Sequence, residues 1–92
     1  MALPAPQPSN DPTLCVVYDY LRSGVGDPVV GALGSALVTG GQVLQSASDV
    51  NGLITWALPR NARVTFSIPH ILPSTRRTVP DAGVARLFDL PM

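Results

Sequence analysis

Apolar and polar residues alternate most cleanly between positions 53 and 68. Ile54, Trp56 and Leu58 alternate with Leu53, Thr55 and Ala57, and Val64, Phe66 and Ile68 alternate with Arg63, Thr65 and Ser67. A period of two marks a strand with one face turned to a core. Both segments therefore read as strands, with Trp56 and Phe66 buried. The link "PRNA", residues 59–62, reads as a turn in which Asn61 takes a left-handed backbone. Two such strands on so short a link predict an antiparallel hairpin with one buried face. Upstream, Asp49, Asn51 and Gly52 form another turn, with Gly52 free to adopt positive φ. Pro69 ends the unit.

The same period runs through "TLCVVYDYLRS", residues 13–23. Leu14, Val16, Tyr18 and Tyr20 share one face; Cys15, Val17, Asp19 and Leu21 share the other. "GVGDP" is a loop. "VVGALGSALVT", residues 29–39, is an apolar run interrupted by glycine; the glycines weaken a short helix and allow a bulged or tightly packed strand. A turn at Gly40-Gly41 leads into another short strand. Residues 70–80 read as a loop followed by a strand around positions 75–79. Val84, Leu87 and Leu90 mark either a short helical face or an extended tail. Short strands at regular spacing, separated by turn residues, predict one all-β domain over residues 14–92, a β-sandwich.

Residues 1–13, "MALPAPQPSNDPT", break the pattern. Pro4, Pro6, Pro8 and Pro12 remove backbone donors and fix φ, which excludes a helix or a central strand. An extended, polyproline-like arm is expected. It ends either as a loose terminus or as a segment docked on a neighbouring subunit. Leu3, Pro4, Pro6 and Pro8 would supply the apolar surface for docking.

Composition supports the fold class. Apolar residues make up 46 % of the chain and charged residues 13 %; the six basic residues are all Arg and the six acidic ones all Asp. Without Lys or Glu, exposed helical faces lack their usual formers. Net charge is zero, and the longest like-charge run is Arg76-Arg77, which argues against nucleic acid as a partner. A single Cys excludes an internal disulfide. No basic segment followed by an apolar run marks a secretory signal, and no apolar stretch is long enough to span a bilayer.

The residues that carry chemistry do not converge. His70 is the only histidine and lies in a loop beside Pro69 without a defined Ser or Asp partner. Cys15 sits within a strand, as a small buried apolar residue would. One His and one Cys cannot build a zinc site. "DVNGLITWALPR" lacks the spacing and closing Glu of a calcium loop. "GALGSALVTGG" lacks the lysine and spacing of a phosphate loop. Neither a catalytic set, nor a metal, nor a cofactor is expected. Arg76 and Arg77 are candidates for an acidic partner surface or for a solvated face.

Three stretches carry a family resemblance. The first is Asp49-x-Asn51-Gly52-x-Ile54-x-Trp56-x-Leu58-Pro59 followed by Asn61-Ala62-x-Val64-x-Phe66-x-Ile68-Pro69. It resembles the "DxxGxFxFxLPPGxYxVxV" unit of carboxypeptidase-regulatory-like domains, which are transthyretin-like (prealbumin-like) sandwiches. "CVVYDYLRSGVGDPVVGA" resembles their first strand, their "GxPVxGA" turn and the start of their second strand. Asn61 replaces a usual Gly and Val64 a frequent Tyr, and "ALGSALVTGG" departs from the alternating second strand. The close, "TVPDAGVARLFDL", is similar to that of small standalone members encoded by tailed phages. The resemblance implies an antiparallel Ig-like/transthyretin-like β-sandwich without transferable catalytic residues. It further implies a virion structural protein: a capsid decoration or head-attached protein, homo-oligomeric, whose partner is the major capsid protein or another virion protein. The alternative is an adhesin-like or fibre-associated module that holds carbohydrate or a host surface. An enzyme is the weakest reading.

Overall fold

A computed structural model describes residues 6–91. It holds seven strands and one turn of 3-10 helix: β1 Leu14–Tyr20, β2 Leu33–Val38, β3 Gln42–Ala47, β4 Leu53–Pro59, β5 Arg63–Ile68, β6 Leu72–Thr78, β7 Val84–Arg86 and the 3-10 turn Leu87–Asp89. The strands form two sheets, ordered β4-β1-β7 and β3-β2-β5-β6. The protein is a β-sandwich. All strand pairs are antiparallel except β1 with β7, which is parallel.

The core follows the alternation. Ile54, Trp56 and Leu58 from β4 and Val64, Phe66 and Ile68 from β5 are buried, as are Cys15, Val17 and Leu21 from β1 and its continuation. Trp56 meets Phe66 edge-on, with ring centroids 5.4 Å apart.

These two strands are not a hairpin. β4 pairs with β1, whereas β5 pairs with β2 and β6. Residues 59–62 instead carry the chain from one sheet to the other, so the Trp56–Phe66 contact spans the sandwich. The backbone bonds of the link explain the arch. Arg60 N–H donates to the Thr13 carbonyl at 2.9 Å, on the first sheet, while Asn61 N–H donates to the Val79 carbonyl at 2.8 Å, beside the second. Asn61, at φ 65°, makes the corner. Alternation fixes which face of a strand is buried; it does not fix which strand lies beside it.

The glycine-interrupted run resolves as both bulged and tightly packed. Just before β2, Gly31 (φ 76°) donates its N–H to the Ser48 carbonyl at 2.9 Å and Ser48 N–H donates to the Ala32 carbonyl at 3.0 Å, so two residues of this strand oppose one. The buried Ser48 hydroxyl accepts the spare Ala32 N–H at 2.9 Å and donates to the Val29 carbonyl at 2.6 Å. Within β2, a Cβ on Gly34 would lie 2.8 Å from both Ile54 Cδ1 and Trp56 Cζ2. Trp56 fills the volume that a side chain at 34 would need. Gly52, at φ 80°, closes the turn before β4, where a Cβ would meet the Leu21 carbonyl oxygen at 2.5 Å.

The C-terminal segment is neither wholly helical nor wholly extended. Val84–Arg86 joins the first sheet, and the 3-10 turn buries Leu87 while Leu90 follows it into the core.

Candidate interaction surface

The outer face of the β3-β2-β5-β6 sheet is built in rows set by the strand register. Val43, Leu37, Thr65 and Arg76 are consecutive cross-strand neighbours, and so are Gln45, Ser35 and Ser67; Leu33 lies opposite Ala47. Apolar side chains on this face meet solvent: Leu33 is 67 % exposed, Leu37 44 % and Val43 53 %. A polar band of Ser35, Gln45 and Ser67 separates Leu33 from Leu37 and Val43. Shallow depressions sit between the rows, one bordered by Leu37, Thr39, Gly40, Thr65 and Arg76 and another by Leu33, Ser35, Gln45 and Ser67.

The two arginines proposed for a partner separate here, because neighbouring residues of a strand point to opposite faces. Arg76 is exposed on the outer face. Arg77 turns towards the C-terminal segment, where Nη1 donates to the Leu90 carbonyl at 3.0 Å and the Phe88 carbonyl at 3.4 Å. Its guanidinium supplies donors to carbonyls that the short 3-10 turn leaves open. Arg76 alone belongs to the surface.

Of the arm residues, Leu3 and Pro4 lie outside the described residues. Pro6 is half-buried and Pro8 exposed. Pro8 lies against Gly83, where a Cβ would meet the Pro8 Cβ at 3.0 Å, and Ser9 N–H donates to the Gly83 carbonyl at 3.0 Å. The chain before β1 is thereby tied to the start of β7. Residues 9–13 then form a compact turn. Asp11 Oδ1 accepts from Thr13 N–H at 2.8 Å and from the Thr13 hydroxyl at 2.6 Å. Those bonds, the hydroxyl's first, hold the Asp11 carboxyl below its usual range.

Asp19 is a structural site that strand alternation alone leaves unexplained. It occupies the buried face of β1 and is fully covered. Its carboxylate accepts from Arg86 Nε at 3.2 Å, from Tyr20 N–H at 2.8 Å and from Phe88 N–H at 3.2 Å. One buried acid thus joins β1, β7 and the 3-10 turn. The carboxylate in turn raises the Arg86 guanidinium further above its ordinary range. A polar residue on an otherwise apolar face is the signal that marks such a position; its partners are remote in sequence.

Cys15 is fully buried, and that burial pushes its thiol up, away from the reactive thiolate. His70 is exposed in the turn after β5, at φ 67°. Among the described residues, no group of three or more His, Cys, Asp or Glu side chains is gathered as a metal site would require. No described helix is long and apolar enough to cross a membrane. Comparison with protein-family models, with curated proteins and with solved structures finds no match.

Proposed function

We propose that this chain is a non-enzymatic structural protein of a tailed-phage virion, a transthyretin-like sandwich that attaches to the capsid or head surface as a decoration protein does. The carrying observation is the outer sheet face. Leu33, Leu37 and Val43 are exposed around a polar band, with Arg76 at the side. Apolar side chains grouped on one face and interleaved with hydrogen-bonding ones suit coverage by another protein better than enclosure of a small molecule. The similarity of "TVPDAGVARLFDL" to the close of small phage-encoded members supplies the virion context. The partner is the major capsid protein or a neighbouring virion protein. Leu3, Pro4, Pro6 and Pro8 add a second point of attachment, multiplying weak contacts into firm ones.

The test is co-sedimentation with particles of the encoding phage that lack this protein. Saturable binding is expected. It should weaken at least about tenfold, a loss near 1.4 kcal/mol, in a Leu33→Asp, Leu37→Asp double variant whose melting temperature is unchanged. Removal of residues 1–12 should weaken it separately. Absence of binding by the wild-type protein, or equal binding by the double variant, overturns the assignment.

A second reading rests on the outer face of the other sheet. Tyr18 and Tyr20 stand there as an edge-on pair with centroids 6.3 Å apart. Aromatic rings with polar tips suit a carbohydrate or host-surface ligand, the role of an adhesin-like or fibre-associated module. Glycan-array binding that is lost in Tyr18→Ala and kept in the Leu33, Leu37 variant would favour this reading over the first.

A further inference from the structure

A sandwich of two open sheets has four edge strands, and three are obstructed. On β6, Pro73 lacks a donor, the ladder with β5 shifts register between Phe66 and Ile68, and Thr78 N–H already donates to the Pro91 carbonyl at 2.8 Å. β7 is only three residues long. On β4, Leu53 is occupied by Asp49, whose Oδ1 accepts from Leu53 N–H at 3.0 Å and whose own N–H donates to the Leu53 carbonyl at 3.0 Å; at its other end Pro59 has no N–H. These are the devices that keep a strand edge from pairing with another chain.

β3 has none of them. "QVLQSA" contains no charge and no proline, and its pairing with β2 is unbroken. Ser48 N–H donates to the Ala32 carbonyl at 3.0 Å, which sets the phase of the ladder. By the alternation of an antiparallel pair, the N–H and C=O groups of Val43, Gln45 and Ala47 then point away from β2. The side chains of these residues are exposed.

We propose that β3 is the pairing edge for a second copy of this chain. The two β3 strands run antiparallel across a two-fold axis at Gln45, and the two four-stranded sheets join into one of eight. The outward set is symmetric about Gln45, so Val43 of one copy faces Ala47 of the other and Gln45 faces Gln45. A two-fold interface sets each axial residue against itself. A charge at that position would meet its like; an amide, which carries both donor and acceptor, satisfies itself. That self-complementarity selects a second copy over an unrelated strand. The pairing is independent of the virion reading, since purified protein alone decides it.

The experiment is sedimentation velocity over a wide concentration range. The wild-type chain should form a dimer. Gln45→Lys and Gln45→Asp should each weaken it at least about tenfold through like charges at the axis, and an equimolar mixture of the two should restore it. Amide exchange on the wild-type protein gives a check that needs no variant: Val43, Gln45 and Ala47 N–H groups should be protected in concentrated samples and exchange freely in dilute ones. A monomer at every concentration, a dimer indifferent to both substitutions, or no recovery on mixing overturns the proposal. A dimer lost on removing residues 1–12 and untouched by the Gln45 variants assigns the contact to the arm instead.

Discussion

The two flanks of the sandwich are closed by different chemistry. On one, β3 and β4 run along the border between the sheets without a charged residue in either strand. On the other, β6 and β7 carry Arg76, Arg77 and Arg86, and two of these are engaged internally, with the Asp19 carboxylate and with the carbonyls of Phe88 and Leu90. The first flank is held by apolar volume, in which Trp56 occupies the space left by Gly34. The second is held by hydrogen bonds to a segment too short to pair for long. A three-residue strand and a single 3-10 turn make few ladder bonds of their own, so beside the buried Leu87 and Leu90 directional bonds to side chains fix the segment. The difference teaches why only one flank leaves a strand edge open: on the charged flank β6 carries Pro73 and a register shift, and β7 is only three residues long.

The sharpest way to break the apolar flank is to empty it. Trp56→Ala should cost roughly 3–5 kcal/mol, a large share of the stability of a domain this small. Urea unfolding will measure it. Before mutation, the emission of Trp56 should be blue-shifted relative to free tryptophan; emission like that of the free amino acid would contradict its place against Phe66.

The charged flank should fail through orphaned donors instead. Asp19→Ala is expected to cost roughly 3 kcal/mol, because Tyr20 and Phe88 N–H groups lose a buried acceptor. Amide exchange distinguishes this from simple loss of packing: the Phe88 amide should exchange faster than amides of β4, which lie on the far side of β1. Uniform acceleration across both flanks would mean that the flanks are not separate units.

Gly34→Ala inverts the first test by adding volume. Its new methyl meets Ile54 and Trp56, and overpacking of this kind costs about 1–3 kcal/mol. In combination with Trp56→Phe the penalty should shrink, since the smaller ring vacates the contact. Strict additivity in the double-mutant cycle would place the strain elsewhere.

The smallest effect concerns the turn that ties the N-terminal segment to the charged flank. The Asp11 carboxyl titrates below its ordinary value, so the order it gives to residues 9–13 is complete above the usual carboxylate range and lost as pH falls through the lowered value. Thr13 amide shifts should follow that titration, and Asp11→Asn should flatten it. A transition centred at the ordinary carboxylate value would mean that the Thr13 bonds are not kept in solution.

Much of the fold is legible in the sequence where a local rule suffices. The buried faces of β4 and β5 follow from alternation, and the positive φ of Gly52 and Asn61 from turn chemistry. What local rules do not reach is the partner. Residues 59–62 are as compatible with an arch as with a hairpin, because either leaves one face of each strand buried; the bonds of Arg60 and Asn61 to Thr13 and Val79 decide it. The start of β2 is set where Ser48 pairs with both Gly31 and Ala32, and β7 exists only by pairing with β1. The candidate surface was legible in part. Arg76 and Arg77 stand out as a pair in sequence, yet the strand sends them to opposite faces, and Leu33, Leu37 and Val43 look like core residues until the register places them outside.

The arch has a consequence for how the chain is made. It sends β4 back to β1 rather than on to β5, so the three-stranded sheet draws its strands from early, middle and late parts of the sequence. Such pairings close long loops before they return any contact, which slows folding. During synthesis on the ribosome, β2, β3 and β5 can meet as soon as Ile68 emerges, but Asp19 has no cation until Arg86 is added. The nascent chain would therefore carry an unpaired carboxylate on the inner face of β1 until Arg86 emerges, and the segment of β7 and the 3-10 turn would complete the three-stranded sheet in a single step after the other strands.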